Sequence, residues 1–230
     1  MARLRKSQKR WVRSSTEADA ASVLIKCALP VFTLDPVAIF NRDAPLEVEI
    51  GAGRGDFILS RATAHPDRNL LAIELSTAVT RLLALRVARS DSPNVRVLQA
   101  DARSIVNLLL PDRAVSVFHI YFPDPWPKDR HAKHRLFSPF FVANLARTIR
   151  PDGILYVATD VRDYARRILA LLDSQGFIPR SQSAPGDSNS NFAKKFAAEG
   201  RPLFSAGFAL APNMLAESRS ERSPLVGQSH

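Results

Sequence analysis

Cysteine is nearly absent from this chain of 230 residues, which contains only Cys27. A single cysteine excludes an internal disulfide and is typical of a reducing compartment, so we expect a cytoplasmic protein. Cys27 has no histidine or cysteine neighbour at the spacing of a metal site. The histidines His119, His131 and His134 do not form a metal array either, and His119 lies inside a strand-like run where a core role is expected. The sequence therefore predicts no bound metal.

Long apolar runs are missing as well. No stretch approaches the roughly 18 uncharged apolar residues of a membrane span, and the first residues lack the apolar core of a signal peptide. Hydrophobic residues nevertheless make up 46% of the chain, which is enough to bury one substantial core. We therefore expect one domain over residues 21–212 that does not bind a membrane, with a flexible arm at 1–20 and a disordered tail at 213–230.

Acidic residues are fewer than basic ones. The chain contains 22 Asp and Glu residues and 32 Lys and Arg residues, which gives a net charge of +10. Such an excess favours a polyanionic partner, since neutralising phosphates releases counterions. Solubility alone would not require the basic residues to cluster. They form an N-terminal arm (Arg3, Arg5, Lys6, Lys9, Arg10, Arg13) and a second patch (Lys128, Arg130, Lys133, Arg135).

Strand-like and helix-like patterns alternate from Leu46 to Phe177. Apolar or β-branched runs predict strands at 46–50, 70–74, 95–101, 115–122 and 154–158, and apolar residues at helical spacing predict helices at 56–64, 76–89, 138–150 and 161–175. Repeated strand–helix units imply right-handed crossovers. The predicted fold is therefore α/β, a Rossmann-like, doubly wound and mostly parallel sheet.

A glycine turn follows the first predicted strand, with Gly51, Gly53 and Gly55 in close succession. A dinucleotide-binding loop would place its third glycine one residue later and leave the helix N-terminus open to a pyrophosphate. This chain has Asp56 at that position, where a carboxylate would repel a diphosphate. The spacing therefore favours a nucleoside without phosphate, S-adenosylmethionine, as the ligand.

Acidic residues stand at or near the ends of four predicted strands: Glu49, Glu74, Asp101 and Asp124. Ligands of open parallel sheets bind across the carboxyl ends of the strands. Glu74 is placed to accept from both ribose hydroxyls, and Asp101 to read an adenine amino group. Glu49 lies in an apolar run and would need a cationic partner, which the ammonium of the ligand can supply.

The stretch from Phe122 to Arg135 places Asp124 between two prolines and then continues into a dense basic run. Prolines fix φ and push the preceding residues toward extended geometry, which keeps the carboxylate rigid. This combination predicts a purine pocket beside a phosphate-binding surface. Trp126 is expected either to stack on a base or to pack in the interior.

Several short segments combine into one longer pattern: Glu49-Ile-Gly-Ala-Gly-Arg-Gly55, Ile73-Glu74, Asp101-Ala102, Phe122-Pro-Asp-Pro-Trp-Pro-Lys128, Arg130-His131, Lys133 through Leu136, and Thr159-Asp160. Together they closely resemble the bacterial tRNA (guanine-N7-)-methyltransferase family, over roughly residues 46–210. The resemblance implies a class I methyltransferase fold, S-adenosylmethionine as methyl donor, tRNA as substrate, and guanine 46 of the variable loop as the target.

The resemblance also assigns residues. It implies that the cofactor site contains Glu49, Gly51, Gly53, Glu74, Asp101 and Asp124, and that Asp124 lies nearest the chemistry. It places the RNA substrate at Lys128, at Asp160 and at the loop Ser190, Asn191, Phe192 and Ala193. Asn191 and Ala193 replace the Lys and Glu that family members often carry, and His134 replaces a usual Arg or Lys, which affects the expected strength of substrate binding.

Two other functions remain open at this point. An amino-methyltransferase acting on an exocyclic nitrogen also sets an Asp or Asn beside prolines and an aromatic, although the basic run after Trp126 argues against it. A non-catalytic or catalytically weak RNA-binding homologue would not need all four strand-end acids. A monomer and a homodimer are equally compatible with the sequence.

Overall fold

Within the part of the chain that the structure describes, seven strands form one sheet in the order β3-β2-β1-β4-β5-β7-β6. The computed structural model describes residues 20–25, 33–127, 129–180 and 203–212. Strands β1 to β5 are mutually parallel, whereas β7 runs antiparallel between β5 and β6. The prediction of a mostly parallel α/β sheet is confirmed. The strands are β1 Leu46–Ile50, β2 Asn69–Glu74, β3 Val95–Gln99, β4 Val115–Tyr121, β5 Ile149–Thr159, β6 Phe177–Arg180 and β7 Phe204–Leu210.

Helices connect the parallel strands. The four longer helices start and end within two residues of the predicted positions, and Ser138 caps one of them by accepting a hydrogen bond from the Phe141 N–H. None of the described helices is long and apolar enough to cross a membrane. The helices are α1 Pro36–Phe40, α2 Asp56–Ala64, α3 Thr77–Ala88, α4 Ala102–Ser104 followed by a π-helical turn Ile105–Leu109, a 3₁₀ helix Asp129–His134, α5 Pro139–Thr148 and α6 Arg162–Ser174.

The sheet buries different side chains on its two faces. One face packs against α5 and α6 and contains the larger apolar cluster, with Val48 and Phe118 completely buried. The other face is covered by α2 and α3 over β2 and β3, where Ile58 and Leu83 are buried. Because successive strand residues point to opposite faces, Glu47 and Glu49 of β1 both point toward the α2 face.

Glu47 is fully buried and lies in a network of cations on that face. Its carboxylate accepts hydrogen bonds from Arg61 of α2 at 2.8 and 2.9 Å and from His119 of β4 at 2.9 Å, and Arg68 lies at 3.2 Å. Burial alone would raise the pKa of Glu47, but hydrogen bonds from His119 and Arg61 lower it from 4.5 to about 2. Burial lowers the pKa of His119, and its other ring nitrogen lies 2.9 Å from the Tyr121 hydroxyl.

Strand β5 begins earlier than predicted. Its first residue is Ile149, and Pro151 and Gly153 lie within the strand, not in a loop before it. The register with β4 shifts in this region, which is the mark of a bulge. A Cβ on Gly153 would lie 2.6 Å from the Ile149 side chain and 2.9 Å from the Arg150 carbonyl oxygen, so this site requires glycine. Pro151 and Gly153 therefore lie at a strand irregularity that directly follows the end of α5 at Thr148.

The Glu47 network yields a prediction for stability. Because the pKa of Glu47 falls on folding, its contribution is complete above pH 4.5 and is lost as the pH falls toward about 2. Replacing Glu47 by Gln should lower the free energy of unfolding by about 3 kcal/mol near neutral pH and flatten its decline in acid. Urea titrations at several pH values measure both effects, with Asp173→Asn, an exposed change on α6, as control. A Glu47→Gln protein as stable as the control variant would contradict the assigned ion pair.

Candidate active site

The carboxyl ends of the five parallel strands meet at one edge of the sheet. Ile50 pairs with Ile73 on one side and Ile120 on the other, so the loops after β1, β2 and β4 leave side by side. The chain order reverses here, because β1 lies between β2 and β4. Such switch points form ligand crevices in open α/β sheets. The structure brings these predicted residues to this edge: Glu49, Gly51, Gly53, Glu74, Asp101, Asp124 and Asp160.

The glycine turn is held by backbone and side-chain hydrogen bonds. The Gly51 N–H donates to the Ile73 carbonyl at 2.9 Å, and the Gly53 N–H donates to Oε2 of Glu74 at 3.0 Å. Gly55 has a φ of 81°, and a Cβ there would collide with Leu83 of α3. No described atom lies within 4 Å of a Cβ added to Gly51, so the space over the start of the turn is open. The turn is thus fixed on the helix side and open on the ligand side.

Glu49 is buried beside this turn, and its Oε2 has no hydrogen-bond partner among the described residues. The Ile58 N–H of α2 donates to the carboxyl group. Burial, followed by the nearby charges of Asp56 and Glu74, raises the pKa of Glu49 well above its ordinary range. A buried carboxyl in this position is stabilised in its charged form only when a cation arrives. The site therefore favours a ligand with a positively charged group.

Asp56 begins helix α2 and is ion-paired. Arg86 of α3 lies at 2.7 Å and Arg54 of the glycine turn at 3.4 Å, and Arg86 also donates to the Arg54 carbonyl. These arginines offset the repulsion of a diphosphate that the sequence predicted for Asp56. An anionic ligand would nevertheless be disfavoured at Glu49, because only a cation offsets the burial and the like charges of Asp56 and Glu74 that oppose ionisation of this carboxyl group.

Glu74 is the last residue of β2, and Asp101 lies two residues after the end of β3. Glu74 accepts from the Ser76 N–H at 2.9 Å in addition to the Gly53 N–H. Asp101 caps α4 by accepting from the Arg103 N–H at 2.9 Å, and the Arg103 guanidinium lies 2.6 Å from its Oδ2. Hydrogen bonding from Arg103 lowers the pKa of Asp101. Sequence reasoning missed Arg103. Its position two residues after Asp101 was the available signal, because a residue at this spacing can donate its backbone N–H to the acid and also form an ion pair with it.

The loop that contains Asp124 is strained and tightly held. Phe122 and Trp126 each precede a proline but have φ values of 52° and 41°, so their backbone is left-handed and not extended as the sequence predicted, at a cost of about 1–3 kcal/mol each for residues with side chains. The Phe122 N–H donates to the Ala158 carbonyl of β5 at 2.8 Å. The buried Arg135 donates from Nε to the carbonyls of Pro125 and Trp126, each at 3.1 Å. Asp124 itself is exposed.

Trp126 packs against the 3₁₀ helix. Its ring centroid lies 5.6 Å from that of His131 and 5.2 Å from that of His134, and the indole is half-buried. This contact favours the packing role over base stacking. Asp160 follows β5 directly and is partly buried. The other predicted RNA contacts, Lys128, Ser190, Asn191, Phe192 and Ala193, lie outside the described residues and stay predictions.

Three or more histidines, cysteines or acids do not come together as a possible metal site anywhere in the described ranges. The polar groups that the described residues bring to this edge are carboxyl groups and backbone N–H groups. These can bind a cationic nucleoside and orient a base, but they offer no strong base for proton abstraction apart from the carboxylates themselves.

A protein-family model described as "Putative methyltransferase" matches residues 43–206. A tRNA (guanine-N(7)-)-methyltransferase from Nitrosococcus oceani is 40% identical over 169 residues, covering 73% of this chain and 71% of the relative. A second, from Nitrosospira multiformis, is 39% identical over 160 residues, covering 66% of this chain and 70% of the relative.

Among solved structures, a SAM dependent methyltransferase from Aquifex aeolicus superposes with a TM-score of 0.52 at 13% identity, covering 84% of this chain and 98% of that one. At this identity the superposition concerns the fold alone. It shows that the two chains share one fold over most of their length.

The unpaired carboxyl group of Glu49 yields the second prediction. Because its pKa is raised on folding, the ligand-free protein should lose stability as the pH rises above 4.5. Glu49→Gln keeps an acceptor for the Ile58 N–H and removes the titration. The melting temperature of the ligand-free variant should therefore exceed that of the parent by at least about 2 °C near pH 8, with the difference narrowing in acid.

Differential scanning calorimetry at several pH values measures this difference. The exposed Asp91→Asn change is the control for removing one acid from a net basic protein. If Glu49→Gln melts below the parent near pH 8, the carboxylate has a stabilising partner and the assignment is wrong.

Proposed function

Because the chain belongs to the tRNA (guanine-N7-)-methyltransferase family, we propose that it transfers a methyl group from S-adenosylmethionine to N7 of a guanine in tRNA. The single observation that carries the proposal beyond family membership is Glu49, a buried carboxyl with an unsatisfied oxygen beside an open glycine turn. A methyl donor with an ammonium and a sulfonium supplies the missing cation. The resemblance of the Phe122–Leu136 segment extends the proposal to guanine 46 of the variable loop.

Three carboxyl groups would hold the methyl donor. Glu49 would pair with its ammonium, Glu74 would accept from the ribose hydroxyls, and Asp101 would accept from the adenine amino group. Glu74 has capacity for this task, because its two described donors leave lone pairs on both oxygens. The open space at Gly51 lets the ligand approach the backbone closely. The bound donor supplies an electrophilic methyl group on a cationic sulfur.

Guanine N7 has a free lone pair and needs no base to become a nucleophile. In the proposed step the N7 lone pair forms a bond to the methyl carbon while the carbon–sulfur bond breaks and its electrons pass to sulfur. Positioning supplies most of the acceleration of such a reaction. Asp124 would accept from guanine N1–H and the exocyclic amino group, and its negative charge would favour the positive charge that develops on the purine.

The rigidity of the Asp124 loop supports this role. A carboxylate can orient a base only if the backbone that carries it is fixed. The prolines together with Arg135 hold this loop in its strained conformation. The exposed position of Asp124 suits a guanine that has left its stack, as in a tRNA loop. Arg130 and Lys133 are exposed beside it and can meet the phosphate backbone.

Asp124→Ala should abolish N7 methylation while leaving the fold intact, since an exposed loop carboxylate contributes little to the core. Asp124→Asn should also be strongly impaired, because an amide oxygen accepts but its NH₂ opposes the donors of guanine. Mass spectrometry of nucleosides from tRNA incubated with each variant and S-adenosylmethionine measures the product, and circular dichroism checks folding. Normal 7-methylguanosine formation by Asp124→Ala would contradict the assignment of this residue to the active site. A methyl group on an exocyclic amine in the reaction of the parent protein would instead indicate an amino-methyltransferase.

Glu74→Ala should weaken S-adenosylmethionine binding by about 1.5–3 kcal/mol, because hydrogen bonds to a charged acceptor are lost. Isothermal titration calorimetry gives the dissociation constant, with Asp91→Asn as the control for charge. Part of the loss reflects the glycine turn, whose Gly53 N–H would lose its acceptor. A dissociation constant equal to that of the control would show that Glu74 does not contribute to the cofactor site.

A further inference from the structure

Arg103 lies between the acid assigned to adenine and the basic segment assigned to RNA. Its guanidinium binds Asp101 through Nε at 3.1 Å to each oxygen and through Nη2 at 2.6 Å. Its remaining nitrogen, Nη1, donates to the Lys133 carbonyl at 3.1 Å. One rigid, planar group therefore touches both binding regions.

The Asp101 carboxylate retains room for a ligand while it is held. A carboxylate offers about four lone-pair sites. The Arg103 N–H and Nη2 take one each, and Nε is shared between the two oxygens. About one site remains, which is what a single adenine N–H requires. Arg103 can thus orient the carboxylate for the cofactor without being displaced by it.

The other end of the bridge reaches the 3₁₀ helix at 129–134. This helix carries the exposed side chains of Arg130 and Lys133, and its histidines pack on Trp126 of the Asp124 loop. The Lys133 carbonyl is a backbone group near the end of the helix, so the hydrogen bond from Arg103 constrains the position of the helix and not merely of one side chain.

We propose that Arg103 is a positioning residue that couples cofactor binding to tRNA binding. The inference rests on the proposed function, because it takes Asp101 as the adenine contact and the 3₁₀ helix as an RNA contact. RNA bound to the 3₁₀ helix would hold the Lys133 carbonyl against Arg103 and thereby hold the Asp101 carboxylate in place for adenine. Since linkage is reciprocal, cofactor that engages Asp101 strengthens RNA binding by the same factor.

The test is a binding cycle with S-adenosylhomocysteine, the demethylated product, which binds without reacting. Calorimetric titration gives its dissociation constant with and without a saturating tRNA transcript. In the parent protein we expect the tRNA to tighten binding by at least about fivefold. In Arg103→Gln, whose amide cannot span both partners, the ratio should fall close to one.

Two further variants separate coupling from general damage. Arg130→Gln removes a positive charge from the same 3₁₀ helix without touching Asp101, so it should weaken tRNA binding but keep the coupling ratio. Arg103→Lys restores the charge without the planar fork and should also lose the ratio; it serves in place of Arg103→Gln if that variant fails to fold.

A parent ratio of one, or an unchanged ratio in both Arg103 variants, would overturn the coupling. If the parent methylates N7 and binds both ligands without coupling, only this inference fails. If the parent binds no S-adenosylhomocysteine or makes no 7-methylguanosine, the proposed function fails first.

Discussion

The ion pair between Glu47 and Arg61 determines where helix α2 lies on strand β1, and the candidate site depends on that placement. Arg61 belongs to the last turn of α2 and binds both carboxylate oxygens of Glu47. The first turn of the same helix supplies the Ile58 N–H to Glu49 and begins directly after the glycine turn. A shift of α2 relative to β1 would therefore move the glycine turn and withdraw the Ile58 N–H from the Glu49 carboxyl group. Helix α2 thus contributes both to the stability of the fold and to the ligand site.

Glu47 and Glu49 show how environment gives two similar residues opposite tasks. Both are buried and both point to the α2 face, yet the pKa of Glu47 is lowered and that of Glu49 is raised. The difference lies in their partners: Glu47 has Arg61 and His119, whereas the described residues around Glu49 contribute the like charges of Asp56 and Glu74 and one donor, the Ile58 N–H. The first carboxylate is satisfied by the fold, and the second needs a ligand.

Sequence reasoning located the strand ends and longer helices, because apolar periodicity and glycine spacing are local signals. It also predicted that Glu49 needs a cationic partner, because the apolar residues around it are its neighbours in the sequence. It could not find the role of Glu47, whose partners Arg61 and His119 are 14 and 72 residues away. The contact of Arg103 with the Lys133 carbonyl and those of Arg135 with the Pro125 and Trp126 carbonyls escaped for the same reason, because only the folded chain brings these backbone groups near. Strand β7 was missed because Ser205, Ala206 and Gly207 dilute its apolar pattern.

The position of β7 determines the order in which the sheet can be completed. The long strand β5 pairs with β7 on its outer side, and β6 has no described partner other than β7. Strands β5 and β6 are made first, so the outer edge of β5 exposes unpaired backbone groups until residues 204–210 have left the ribosome. Exposed strand edges invite pairing with other chains. A nascent or truncated chain that ends before Phe204 is therefore expected to be a substrate for chaperones, even though every strand-end acid has already been synthesised.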